Sequence, residues 1–183
     1  MVGIDIAGPE SPDFKPAHYK RLFDRCRRRG LGITVHTGES GPVEEIVDVI
    51  EQLEPSRIGH GVKSAFDPRT MAVIRERNIT LEVCPTSNLN TRVVASWDEF
   101  RWIFDTFRRN KVKFTINTDG PEMLRTYIRD ELSTLGRLGI LSFEEQEQSA
   151  EWARQASFVN GVSSIPLPRR GPASRRKMER EEA

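Results

Sequence analysis

Two of the three histidines in this 183-residue chain stand where chemistry is easily built. His36 ends the β-rich run Gly32–His36 and leads into Thr37-Gly38-Glu39; His60 lies in Gly59-His60-Gly61, at the end of the next such run. Asp119 follows another, in Asn117-Thr118-Asp119-Gly120, and Cys84 opens Cys84-Pro85-Thr86-Ser87-Asn88 after a fourth. An imidazole and a carboxylate converging on one point suit zinc, so His36 and Asp119 are candidate metal ligands. A single strand-end histidine reads equally as a residue hydrogen-bonded within a loop. Glu39 reads as a general acid or as an early-turn helix carboxylate favoured by the dipole. Gly59 and Gly61 allow a tight turn beside a ligand, or simply end a strand. Cys84 reads as a small buried apolar residue rather than a nucleophile, since no base adjoins it in sequence. His18, in the first turn of a helix, reads as a surface or packing residue.

Positioning these groups requires a repeated scaffold, and the chain repeats one pattern: a short β-rich run, a polar or Gly-rich junction, then an amphipathic helix. The strand candidates are Val2–Ala7, Gly32–His36, Arg57–Gly59, Ile79–Val83 and Lys113–Asn117. Helices are predicted from Pro16, with Tyr19, Leu22, Phe23 and Cys26 on one face, from Pro42, and from Asp67-Pro68. Ser96-x-x-Glu99 is a capping box ahead of Phe100, Ile103, Phe104 and Phe107. One helix is expected from Pro121 to about Leu138, and another, capped by Ser142-x-x-Glu145, to about Val159. Strands joined by such helices form a parallel sheet, either open and doubly wound or part of a (β/α) barrel. In both, reactive groups gather beyond the C-terminal strand ends.

Composition narrows the function class. Lys+Arg number 28 against 27 Asp+Glu, a net charge of +1, with 37% hydrophobic and 30% charged residues. This is the balance of a globular protein, without the basicity of a nucleic-acid binder or an apolar run long enough for a membrane span. No G-x-G-x-x-G or Walker A sequence occurs, which disfavours a nucleotide-cofactor domain. Two cysteines without CxxC spacing suit a reducing, cytoplasmic setting. Residues 1–160 read as one domain. Residues 161–183, rich in Lys and Arg with Pro, Gly and Ser and few aliphatic side chains, read as a flexible basic tail.

At these junctions the sequence resembles the adenosine deaminase family of metal-dependent hydrolases. The blocks are Gly3-Ile4-Asp5-Ile6-Ala7-Gly8, Thr34-Val35-His36-Thr37-Gly38-Glu39, Arg57-Ile58-Gly59-His60-Gly61, Leu81-Glu82-Val83-Cys84-Pro85-Thr86-Ser87-Asn88 and Asn117-Thr118-Asp119, in family order across nearly all of residues 1–160. The resemblance implies an α/β fold, a TIM-type (β/α)₈ barrel holding one catalytic zinc, with these blocks similar to strands four to eight plus the C-terminal helices. It implies His36 and Asp119 as zinc ligands, Glu39 as proton donor to purine N1, and His60 as the group that holds and helps deprotonate the attacking water. Gly8 would let the backbone approach the purine. Zinc lowers the pKa of bound water toward neutrality, and protonation at N1 makes C6 electrophilic. Glu39 would then need to hold its proton near neutral pH, which burial favours.

Two departures qualify the expectation. The family carries a second acidic residue after the last-strand Asp, where it contacts the purine; here that position is Gly120. The run Asn117–Leu124 is similar to actinobacterial deaminases of adenosine or 6-aminodeoxyfutalosine, so an adenosine-like purine nucleoside is the expected substrate, with no nucleic-acid or membrane partner. The family's first-strand HxH pair of zinc ligands has no counterpart. The expectation is therefore the C-terminal portion of a deaminase, with Met1 either an internal start or a cloning boundary, inactive alone, and with exposed sheet edges at Val2–Ala7 and Lys113–Asn117. The rival expectation is a short non-catalytic relative or a half barrel completed by a partner.

Overall fold

The computed structural model describes residues 1–8, 11 and 13–159. Five strands form one parallel sheet: β1 (Gly3–Ile6), β2 (Gly32–Thr37), β3 (Arg57–His60), β4 (Thr80–Val83) and β5 (Lys113–Ile116). Each expected strand is present within a residue or two of its predicted ends. They lie in the order β1-β2-β3-β4-β5, each paired to its predecessor. A doubly wound sheet must reverse its strand order at a switch point, and this one never does. The chain is a partial (β/α) barrel.

Alternation along the strands separates two faces. Ile33, Val35, Ile58, Leu81, Val83, Phe114 and Ile116 are buried toward the helices. On the opposite face Thr34 Oγ1 donates to Glu82 Oε2 at 2.8 Å, and Arg57 Nε lies 3.3 Å from Glu82 Oε1, tying three strands together beneath the site.

The helices are α1 (Pro16–Arg28), α2 (Val43–Leu53), α3 (Pro68–Glu76), α4 (Pro85–Asn90), α5 (Trp97–Arg109), α6 (Pro121–Leu124), α7 (Ile128–Arg137) and α8 (Phe143–Gln155), with a 3₁₀ turn at Val62–Phe66. In α5, Phe100, Ile103, Phe104 and Phe107 are fully buried, and Phe104 meets Phe114 of β5 at 4.9 Å between ring centroids. Each such ring contributes about 1.5–3 kcal/mol by leaving water. The caps form as predicted: Ser96 Oγ accepts from Glu99 N–H and Ser142 Oγ from Glu145 N–H.

Four expectations are corrected. The single helix from Pro121 to Leu138 is two, because Arg125 adopts a left-handed conformation (φ 50°) that ends α6, and α7 restarts after Tyr127. The last helix stops at Gln155; Phe158 instead lies against Gly3 and Gly32, where any Cβ would overlap its ring, under the Arg57 guanidinium at 3.8 Å. Of the predicted apolar face of α1 only Phe23 is buried, while Tyr19 and Leu22 remain 40% and 50% exposed. Of the two expected exposed edges, β1 is partly exposed but β5 is buried, with Trp152 of α8 edge-on to Phe114. The tail expected at 161–183 lies outside the described residues. Among these residues no helix is long and apolar enough to cross a membrane.

Candidate active site

Parallel strands deliver their C-terminal ends to one rim, so side chains distant in sequence meet there. His36, one residue before the end of β2, places Nδ1 3.2 Å from Oδ1 and 3.1 Å from Oδ2 of Asp5 on β1. This contact raises the imidazole pKa above its ordinary value; burial opposes the rise, and the charges of Glu82 and Asp119 add to it. With Nδ1 engaged by a carboxylate, Nε2 is the nitrogen presented to a ligand, the usual arrangement of an oriented metal-binding histidine. In the sequence Asp5 is one of the polar groups near the strand ends, with no partner assigned; the signal that places it is a carboxylate on the strand that precedes that of His36.

The His36 ring occupies space that only glycine leaves. A Cβ on Gly59 of β3 would fall 2.8–2.9 Å from three ring atoms. Gly59→Ala is therefore expected to displace the ring and destabilise the fold by about 1–3 kcal/mol. Urea unfolding together with the His36 imidazole NMR signals checks this, and an unmoved ring with unchanged stability would contradict it.

His60 and Asp119 have positive φ, 61° and 59°. Among the described residues, the five other non-glycine residues with positive φ, Glu54, Asn78, Arg92, Lys111 and Arg125, all sit at or just past helix C-termini, where that conformation ends a helix. At the two strand ends it serves no cap, and strained backbone of this kind collects at functional sites. His60 is 2% exposed, with its ring edge-on to His36 at 5.3 Å. Asp119 Oδ2 accepts from Ser87 Oγ at 2.7 Å.

Glu39 precedes α2 by four residues, and the first-turn acids of that helix are Glu44 and Glu45, so the helix-dipole reading of Glu39 does not hold. Its Oε2 lies 3.6 Å from His60 Nε2, and its Oε1 accepts from Asn88 Nδ2 at 3.2 Å and from Thr91 Oγ1 at 3.4 Å. The side chain is 24% exposed, less enclosed than the sequence reading wanted. Asn88 also reaches His60 Nδ1 at 3.0 Å. Ser87 and Asn88 were not among the sequence candidates, because small polar residues after a strand carry no chemistry of their own; α4, opened by Pro85, turns them back toward the rim. Cys84 is buried, and burial pushes its thiol far above the ordinary range, in keeping with an inert packing residue.

Gly8 has φ 129° and lines a cavity of about 290 Å³ with His36, Ile6, Phe14, Tyr19 and Glu45. Gly120 has φ −95°, and a Cβ there would meet only the flexible Met123 side chain, at 3.3 Å. The backbone does not require glycine at 120. Nothing in the fold therefore excludes an acid at that position.

A buried carboxyl supports the rim from behind. Glu131 of α7 is 1% exposed and accepts from Thr86 N–H at 3.4 Å and Thr126 Oγ1 at 3.3 Å, anchoring the start of α4. Burial holds its pKa above the ordinary 4.5, against the pull of the threonine hydrogen bonds. A carboxyl raised on folding favours the protonated native state, so its contribution is fullest below the ordinary value and is lost as pH rises through the folded value. Glu131→Gln should then gain on the parent chain as pH rises from about 4 to about 7. Urea midpoints at the two pH values test this; a gap that is constant or shrinks would contradict it.

His36 and Asp119 are two candidate zinc donors, and among the described residues no group of three or more His, Cys, Asp or Glu could hold a metal ion. A catalytic zinc takes three protein ligands and an open position, so these residues do not by themselves make the site.

What this rim resembles can be tested against known proteins. The chain is 37% identical over 159 residues to an adenosine deaminase of Clostridium botulinum (strain 657 / Type Ba4), covering 87% of the chain and 47% of the relative. It is 38% identical over 171 residues to an aminodeoxyfutalosine deaminase of Streptomyces avermitilis, covering 91% and 46%. It spans about half the length of these curated relatives. A solved amidohydrolase structure with bound Zn from Burkhoderia ambifaria superposes with a TM-score of 0.76 at 21% identity over 98% of this chain and 48% of that one, a likeness of fold. The family model for adenosine deaminase matches residues 1–165, which include every rim residue described above. The strained His60 and Asp119, the glycine beneath His36 and the acid facing His60 are therefore features of a chain that belongs to the adenosine deaminase family.

Proposed function

We propose that this chain carries the proton-handling part of a hydrolytic deaminase site that removes the 6-amino group of an adenosine-like purine nucleoside. The observation that carries the reading is the Glu39–His60 pair, an acid and an imidazole facing each other at 3.6 Å at the mouth of a partial barrel. Glu39 gives its proton to N1 as water adds to C6, takes a proton back from the added oxygen and passes it to the exocyclic nitrogen, which leaves as ammonia; the C6 hydroxyl returns its proton to Glu39 as the carbonyl forms. His60 holds the water against the ring, and the Gly8 backbone, in a conformation only glycine adopts readily, lies against the purine.

His36 and Asp119 are proposed as two ligands of a zinc ion, with Asp5 orienting the first and Ser87 the second. The remaining ligands would come from outside the described residues, and this chain by itself is expected to be inactive. A second reading, a non-catalytic or partner-completed half barrel, is favoured by that same short ligand set. The absence of an acid at Gly120 leaves adenosine itself less firmly recognised than a larger adenine-bearing nucleoside.

The test is a chimera in which this chain replaces the matching segment of the Clostridium botulinum relative, assayed for ammonia release from adenosine and aminodeoxyfutalosine. Turnover in the chimera, and none from the chain alone, is expected. A folded, metal-loaded chimera without turnover on either substrate would overturn the deaminase reading in favour of the non-catalytic one.

A further inference from the structure

We propose that Asn88 is a positioning residue that fixes His60 as its Nε2–H tautomer and holds Glu39 opposite that N–H. Asn88 is fully buried on α4, and its Nδ2 reaches His60 Nδ1 at 3.0 Å and Glu39 Oε1 at 3.2 Å. An amide nitrogen has two hydrogens and no lone pair to share, so both contacts are donations and His60 Nδ1 must be an acceptor. A neutral imidazole that accepts at Nδ1 carries its proton on Nε2. That N–H faces Glu39 Oε2 at 3.6 Å.

The reverse amide orientation is disfavoured by the groups around it. It would set Oδ1 3.2 Å from Glu39 Oε1, the oxygen that already accepts from Thr91 Oγ1, and so bring two acceptors into contact. In the orientation adopted, Oδ1 is buried without a hydrogen-bond partner. The amide is thus satisfied on its donor side alone, at His60 and Glu39. Ser87, one residue earlier, makes the matching contact to Asp119, so α4 braces both strained strand-end residues at once.

This changes the role assigned to His60. A ring with its hydrogen on Nε2 offers a donor there, not a base; it orients the oxygen of the attacking water by donating to it rather than by taking its proton. That extension to catalysis rests on the deaminase reading above, whereas the tautomer does not.

The chain has three histidines, so long-range ¹H–¹⁵N correlation of the imidazoles in the ¹⁵N-labelled full chain resolves each ring. At a pH above the ordinary histidine range, His60 is expected to show a protonated, pyrrole-like Nε2 and a bare, pyridine-like Nδ1. Asn88→Asp replaces the donor by an acceptor of the same shape and is expected to move the proton to Nδ1, leaving His18 unchanged. Asn88→Ser, too short to reach the ring, is expected to give a mixture and serves if the Asp variant does not fold. A His60 already protonated at Nδ1 in the unsubstituted chain, or ring nitrogens indifferent to both substitutions, would overturn the proposal. The readout needs neither metal nor substrate, so failure of the deaminase assay leaves it standing, and a wrong tautomer leaves the deaminase reading standing.

Discussion

Glu39→Gln should lower turnover of the active chimera by about 10²–10⁴-fold while leaving its bound metal unchanged. The substitution keeps the shape, and the Gln carbonyl oxygen still accepts from Asn88, so the rim has no reason to collapse. What it removes is a transferable proton. A loss of that size corresponds to about 3–5 kcal/mol of barrier, the contribution expected of one general acid. The check is steady-state kinetics beside metal analysis of the same preparation. If metal content falls in step with turnover, Glu39 is holding the site together rather than donating a proton.

Asp119→Ala should show the opposite pattern: a drop in metal affinity of more than about 100-fold, because even partners outside the ligand shell contribute 10–100-fold. Alanine also loses the aspartate's tolerance of φ 59°, so a fold defect must be separated from a ligand defect. Asp119→Asn separates them. Asparagine accepts the left-handed conformation and keeps an oxygen for Ser87, yet lacks the charge. Both variants should lose metal while Asn retains the parent's unfolding midpoint. Full metal occupancy in either would remove Asp119 from the ligand set.

The fold was legible because its signals are local. Short β-branched runs, Pro at helix starts and Ser-x-x-Glu caps act within a few residues, and each predicted strand is present. Errors arose where a distant contact competed with local pattern. The periodicity running from Pro121 carries nothing that announces the left-handed Arg125, and Phe158 leaves the helical path to fill the space above two glycines in β1 and β2. Tyr19 and Leu22 follow helical spacing, yet α1 buries only Phe23 of that face.

The candidate site divides the same way. His36, Glu39, His60 and Asp119 were named from residue type and strand-end position, which sequence carries directly. Sequence alone also determined the order of the blocks, the lack of an HxH pair and the glycine at position 120. Only the tertiary structure decided which groups touch. It brought Asp5 to His36 across a strand pair, turned Asn88 toward both His60 and Glu39, and joined Ser87 to Asp119 across 32 residues of chain. Side-chain hydrogen bonds depend on distances of a few tenths of an ångström between elements far apart in the chain. Strand register and helix packing set those distances, and no local pattern of residues encodes them.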